Sequence, residues 1–345
     1  MRFTLLPEWA PQDAIMLTWP HKDTDWCDNL ATVEPVYVTL CQHITQVQQL
    51  VIVAHDAALK QHIITLLEHA EVELARCHIV IAPCNDTWAR DHGPLSTMSE
   101  SGELAIKDFT FNGWGNKFAA AKDNAINQVL AEQVMSHQCH YQRVDMVLEG
   151  GAIEINEAGV LLTTSECLLN PNRNPHLSKA ELEARLTEEL GATSFLWLDH
   201  GYLSGDDTDS HIDTLVRFAP DNTLVYVQCN DKTDDHYEAL KQMEQQLKRF
   251  TTATGEPYRL VPLPWPSAKK DDQGVRLPAT YANYLILNST VLVPIYGDEH
   301  DQRALAQVAA AYPDRTIIGI DCLPIIHQFG SLHCITMQLP KGFLR

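Results

Sequence analysis

The sequence predicts an α/β fold in which similar hairpin-and-helix units recur, and three observations carry that expectation. Short apolar runs alternate with longer helix-like stretches. Turn chemistry separates several of the runs at hairpin spacing. Polar residues (Asp91, Glu149, His211, Asn283 and Cys334) each stand near the start of an apolar run, at separations of 58, 62, 72 and 51 residues. A repeat of that size suggests units arranged around an axis, so that polar residues at equivalent strand ends converge on a central site. Five units of about 69 residues account for the 345-residue length. An ordinary α+β domain with accidental spacing accounts for the same pattern.

In chain order, strands are expected at 14–19, 50–54, 79–82, 104–111, 147–155, 160–164, 212–218, 224–228, 284–287, 291–295, 316–320 and 334–338, as short runs rich in β-branched and aromatic residues. Asn156-Glu-Ala-Gly159 and Pro220-Asp-Asn222 are turn sequences between such runs. Helices are expected around 34–49, 56–70, 122–136, 178–190, 235–250 and 300–311. Ser178 followed three residues later by Glu181 is a capping box, each side chain answering the other's backbone N–H. No linker or low-complexity segment divides the chain, so residues 1–345 are expected to form one catalytic domain.

Composition narrows the function classes. With 45% hydrophobic and 20% charged residues, the chain can bury a substantial core. No apolar run approaches the roughly 18 residues of a membrane span, and the N-terminal residues do not read as a secretory signal. Nine cysteines without a C-x-x-C pair fit a reducing compartment, so the cytoplasm is the expected location. The formal charge of −20 makes nucleic-acid binding improbable, because phosphate contacts need basic surface. An acidic protein suits a cationic substrate. Acidity also serves solubility alone.

Four segments carry chemistry. In Gly330-Ser-Leu-His-Cys334, a cysteine opens a strand after a flexible turn. Free cysteines are most often packing residues, and Cys41 and Cys229 fit that description. His333 is not expected to serve Cys334, since consecutive strand residues face opposite ways. In Gly205-Asp-Asp-Thr-Asp-Ser-His211-Ile-Asp213, His211 and Asp213 share a face if the segment is a strand. Four aspartates there (Asp206, Asp207, Asp209 and Asp213) need a cation to offset them, whether metal, arginine or substrate. A metal site on His211, Asp213 and Asp207 is therefore a competing reading. Trp88 and Asp91 offer a wall and an acid at one turn, or a buried aromatic and a surface Arg90–Asp91 pair. Glu149, beside Gly150 and Gly151 in an apolar strand, is costly to bury unpaired.

These segments together resemble the agmatine deiminases of the guanidine-modifying superfamily, and the group named for a bacterial peptidylarginine deiminase. The resemblance runs from Met16-Leu-Thr-Trp19-Pro20-His through Trp88-Ala-Arg-Asp91-His-Gly-Pro94, Phe111-Asn-Gly-Trp-Gly115 and Leu148-Glu-Gly-Gly151. It continues through Leu168-Leu-Asn-Pro-Asn-Arg-Asn-Pro-His176, the Gly205–Asp213 segment and Arg276-Leu-Pro-Ala-Thr-Tyr281 to Cys334. It implies a five-bladed, pseudo-symmetric α/β-propeller (pentein) of ββαβ-type units. It further implies Cys334 as nucleophile, His211 as acid and base, Glu149 paired with His211, and Asp91 and Asp213 as clamps on a guanidinium. Trp88 and Asp207 are implied as substrate contacts. No metal or organic cofactor is implied; the expected partner is a small cationic substrate, agmatine, with a homodimer as the expected assembly.

Two departures lie beside the substrate channel. Many agmatine deiminases carry a Gly-Gly-Gly-Asn-like run where this chain has Phe329-Gly-Ser-Leu332, and Asn-Gly where it has Asp209-Ser210. They leave free arginine or a peptidyl arginine open as substrates. An arginine carboxylate would need a cation, and Arg90, Arg173 and Arg217 are candidates. A polyamine-binding protein without turnover is the non-enzymatic alternative.

Overall fold

Each strand pair joined by a short turn runs antiparallel here, and each return through a helix makes a parallel neighbour, as the two connection lengths require. Both halves of that rule operate in four of the five sheets of a computed structural model that describes residues 2–345. The described residues form five sheets. In one, Ile153–Ile155 pairs antiparallel with Val160–Thr164, which pairs parallel with Ser194–Leu198 after the helix Lys179–Leu190. The same order recurs in Val216–Ala219, Thr223–Gln228 and Arg259–Pro264 around the helix Tyr237–Leu247. It recurs again in Leu285–Ile286, Thr290–Ile295 and Thr316–Asp321 around the helix Asp301–Ala311.

The sheet of Leu95–Ser99, Leu104–Thr110 and His140–Val147 adds an outer strand, Phe3–Leu5. In the last sheet the C-terminal Thr336–Pro340 pairs antiparallel with Gln12–Thr18, followed in parallel by Gln49–Ala54 and Cys77–Ile81. The two chain ends thereby share one sheet. Central strands such as Val160–Thr164 are buried throughout, as strands covered on both faces must be.

The expected hairpins form. Gly159 takes φ +75° in the first, and Asp221 and Asn222 take φ +58° and +52° in the second, the left-handed pair that a tight hairpin favours. Ser178 and Glu181 make the capping box, and the helix ends at Gly191 with φ +66°.

Several expected elements differ. The run 147–155 breaks: Glu149 is extended, Gly150–Ala152 is a single 3-10 turn, and the strand resumes at Ile153. Residues Ile212–Thr214 form another 3-10 turn, so His211 and Asp213 do not share a strand face. Cys334 lies in a turn before the strand Thr336–Pro340. Asp91 lies in the short helix Ala89–His92. The site residues thus occupy tight turns flanking the sheets, where the backbone has left the ladder and side chains are free to converge.

Candidate active site

Two glycines show how closely the turns approach one another. A Cβ on Gly151 would lie 2.7 Å from Asp91 Oδ1, 2.7 Å from His211 Nδ1 and 3.2 Å from Asp213 Oδ2. Three functional side chains from three distant segments therefore meet at a spot only glycine leaves open. On the Cys334 side, a Cβ on Gly330 would stand 2.0 Å from the Trp88 ring.

Asp91 is buried. Its Oδ1 accepts from the Gly151 N–H at 3.0 Å and its Oδ2 from Trp114 Nε1 at 2.9 Å. Burial, reinforced by Asp213, pushes its carboxyl well above the usual range despite those donors. His211 Nδ1 lies 3.6 Å from Asp91 Oδ1, while its buried Nε2 has no protein partner. Desolvation lowers this imidazole to about 3, with Asp213 opposing, so it rests neutral.

Asp213 is held from behind. Its Oδ2 accepts from His333 Nδ1 at 2.7 Å and from Asn283 Nδ2 at 3.3 Å, and its buried Oδ1 is left free. Burial opposes ionisation, but the His333 bond and charge interactions outweigh it and hold this carboxyl below its ordinary value. Cys334 Sγ lies 3.4 Å from Asn283 Oδ1 and 3.9 Å from Asp213 Oδ2. Burial and the charges of Asp213 and Asp91 raise the thiol well above its usual value. Cys334 therefore rests as a neutral thiol and His211 as a neutral imidazole.

Glu149 is fully buried, as expected, but its hydrogen-bond partner is Arg173, not His211. Arg173 Nε reaches both carboxylate oxygens, at 2.9 and 3.0 Å. The same guanidinium donates through Nη1 to Asp209 Oδ2 at 2.7 Å and through Nη2 to the Thr208 carbonyl at 2.8 Å. It fixes the turn ahead of His211, where Asp209 and Ser210 both take positive φ, +65° and +64°. Left-handed conformation is uncommon in such residues and persists where the surroundings impose it.

A cavity of about 130 Å³ reaches Cys334, with Trp88, Asp91 and Asp207 also in its lining. Asp25, Asp86 and Asp206 add to its acidic wall, and Trp114, Phe118 and Phe329 supply apolar surface. The lining contains no lysine or arginine. Arg90 and Arg217 are bound to Glu8, and Arg217 also to Glu154; Arg173 is engaged as above. None of the three cations anticipated for an arginine carboxylate faces the cavity. Nor does Asp207 join His211 and Asp213 in any group of three donors close enough to share an ion among the described residues.

Several contributors carry little local signal in the sequence. Trp114 sits in the Phe111–Gly115 motif and bonds Asp91. Asn283 was marked only as a repeat position, yet its Oδ1 also accepts the Cys334 N–H at 3.2 Å. His333 does not bond Cys334, but it holds Asp213 and reaches Glu8 Oε1 at 2.7 Å through Nε2.

Fold and site together define a mixed α/β protein with a buried thiol lining an acidic cavity. Residues 4–340 match the model of the Porphyromonas-type peptidyl-arginine deiminases, and the chain belongs to that family. An agmatine deiminase of Stutzerimonas stutzeri is 30% identical, with 98% of this chain and 95% of that one covered. A cysteine-to-serine variant of the C. jejuni agmatine deiminase, solved with substrate bound, superposes with a TM-score of 0.90 at 36% identity, covering 100% of this chain and 98% of that one. A Porphyromonas gingivalis protein provisionally described as an arginine deiminase superposes with a TM-score of 0.93 at 47% identity, each chain fully covered. Among the described residues no helix is long and apolar enough to cross a membrane.

Proposed function

We propose that the protein hydrolyses agmatine to N-carbamoylputrescine and ammonia through a covalent intermediate on Cys334. The observation that carries this reading is the cavity wall: Asp25, Asp86, Asp91, Asp206 and Asp207 around a thiol, with no basic side chain. A substrate cationic at both ends is favoured there, and one bearing a carboxylate is not. The agmatine deiminases among its relatives support the same reading. We further propose that the five sheets stand around one axis as blades of a pseudo-symmetric propeller, with the site at its centre.

In this mechanism the guanidinium enters between Asp91 and the free Oδ1 of Asp213, which orient it through charge-assisted hydrogen bonds. Its charge favours the thiolate, and the Cys334 proton passes to the His211 imidazole. Sulfur attacks the guanidinium carbon. As the carbon–nitrogen bond breaks, imidazolium returns the proton to the leaving nitrogen and ammonia departs, leaving an amidino-thioether. His211 then takes a proton from water; the carbon–oxygen bond forms, the carbon–sulfur bond breaks, and Cys334 recovers its proton. Glu149 holds Arg173, and through it the His211 turn. Trp88 and Asp207 line the substrate path.

The test compares agmatine, free arginine and an arginine peptide on chelator-treated wild type and Cys334→Ala, reading ammonia and ureido product. Turnover of agmatine alone, lost in Cys334→Ala, is the expected outcome. Preference for arginine, in line with the provisional description of the P. gingivalis relative, would retain the mechanism and reverse the substrate assignment. Activity surviving in Cys334→Ala would refute the cysteine mechanism.

A further inference from the structure

Three neighbouring parallel strands, Gln12–Thr18, Gln49–Ala54 and Cys77–Ile81, each deliver one metal-ligating side chain just past their C-terminal ends: His21, His55 and Cys84. The carboxyl ends of parallel strands are where α/β sheets commonly bind ligands. One donor atom from each residue lies within 4.8 Å of the other two. Cys84 Sγ is 3.8 Å from His55 Nδ1, and the two imidazole rings lie 4.1 Å apart, tilted by 31°. His21 is 5% exposed, and its buried Nε2 has no partner, which is costly for a polar atom in this position.

We infer that His21, His55 and Cys84 form a site for a borderline-soft divalent transition-metal ion such as zinc. Two imidazoles and one thiolate suit such an ion, and three protein ligands leave a fourth position for water. Asp23, Asp56, Asp86 and Asp123 lie around the cluster, with Lys122 nearby and Lys22 paired to Asp23 at 2.9 Å. Binding forms one metal–sulfur and two metal–nitrogen bonds and releases the Cys84 thiol proton to solvent; both histidines bind neutral. His55 Nδ1 now shares the Cys84 backbone, 3.1 Å from its N and its O, and exchanges that contact for the ion.

The three residues lie outside the lining of the substrate cavity. His21 and Cys84 belong to the two loops that carry Asp25, Asp86 and Trp88 into the cavity wall, and Trp26 Nε1 already bridges them through Asp86 Oδ1 at 2.9 Å. An ion here braces that wall and takes no part in the reaction.

The test titrates chelator-stripped Cys334→Ala protein with Co²⁺, which removes the nucleophile thiol from consideration. One ion per chain should bind with a thiolate-to-cobalt charge-transfer absorption, be displaced by Zn²⁺, and raise the melting temperature. Adding Cys84→Ser should abolish the absorption. Adding His21→Gln should lower affinity by more than the tenfold or so that follows loss of an outer-shell partner. Adding Cys27→Ser, which removes an exposed thiol, should change nothing. Absence of the absorption, its persistence in folded Cys84→Ser protein, or undiminished affinity in His21→Gln would each overturn the inference.

Discussion

Replacing Arg173 with methionine tests how the site is held together. The side chains of Arg173 and Glu149 are both fully buried, and Nε engages both carboxylate oxygens. Removing one partner of such a pair costs about 3–5 kcal/mol, because the other is left as an uncompensated buried charge. Burial already outweighs Arg173 in raising the Glu149 carboxyl, so without the guanidinium this group should fold protonated. The sign of the pH dependence follows. A carboxyl protonated in the folded chain and ionised in the unfolded one makes stability fall as pH rises, by about 1.4 kcal/mol per unit above its unfolded value. Arg173→Met should therefore show a penalty that grows between pH 6 and 8, measured by denaturant unfolding against wild type. Adding Glu149→Gln removes the charge and that slope, with a coupling energy of about 0.5–3 kcal/mol between the two changes. Turnover should fall in both single variants, since the Asp209–Ser210 turn ahead of His211 loses its clamp. A pH-independent penalty under about 1 kcal/mol, with additive effects, would refute the buried-pair account.

Other expectations concern single groups. Because Cys334 rests as a neutral thiol, iodoacetamide should inactivate the free enzyme slowly at pH 7 and faster as pH rises, and Asp213→Asn should accelerate it; a rate already level below pH 7 would show a resting thiolate. Gly151→Ala places a methyl group among Asp91, His211 and Asp213, so turnover should be lost while far-ultraviolet circular dichroism is kept; near-normal kcat would mean these side chains do not converge there. His92 is buried, and burial lowers its imidazole to about 3. A group whose folded value is depressed below its unfolded 6.5 stabilises fully above 6.5 and loses that contribution as pH falls toward 3. His92→Gln should therefore flatten the acid limb by up to about 1.4 kcal/mol per pH unit relative to wild type, and parallel curves would reject a neutral buried His92.

What the sequence disclosed and what it hid follow from the same physics. Asp91, Glu149, His211 and Asp213 were legible because charge within apolar runs is costly unless it has a partner or a function. The partners themselves were hidden, because a buried ion pair leaves no local trace. Arg173 is 24 residues from Glu149, and Asn283 is 51 from Cys334. His333 is not expected to serve Cys334 on strand alternation, and its hydrogen bonds go to Asp213 and Glu8, although the strand itself begins only at Thr336. Four of the strands that went unseen, Phe3–Leu5, His140–Val147, Ser194–Leu198 and Arg259–Pro264, lie at sheet edges. His140–Val147 is largely solvated, and Arg259–Pro264 contains two prolines, which an edge strand tolerates. The departure at Asp209-Ser210 takes on meaning only in three dimensions. Asp209 and Ser210 both take positive φ, and Arg173, Lys117 and Asp206 hold that backbone. The turn is supported by a charged network that also carries Glu149. His211 is thereby positioned by ionic contacts, and its placement is open to disruption from residues that never touch the substrate.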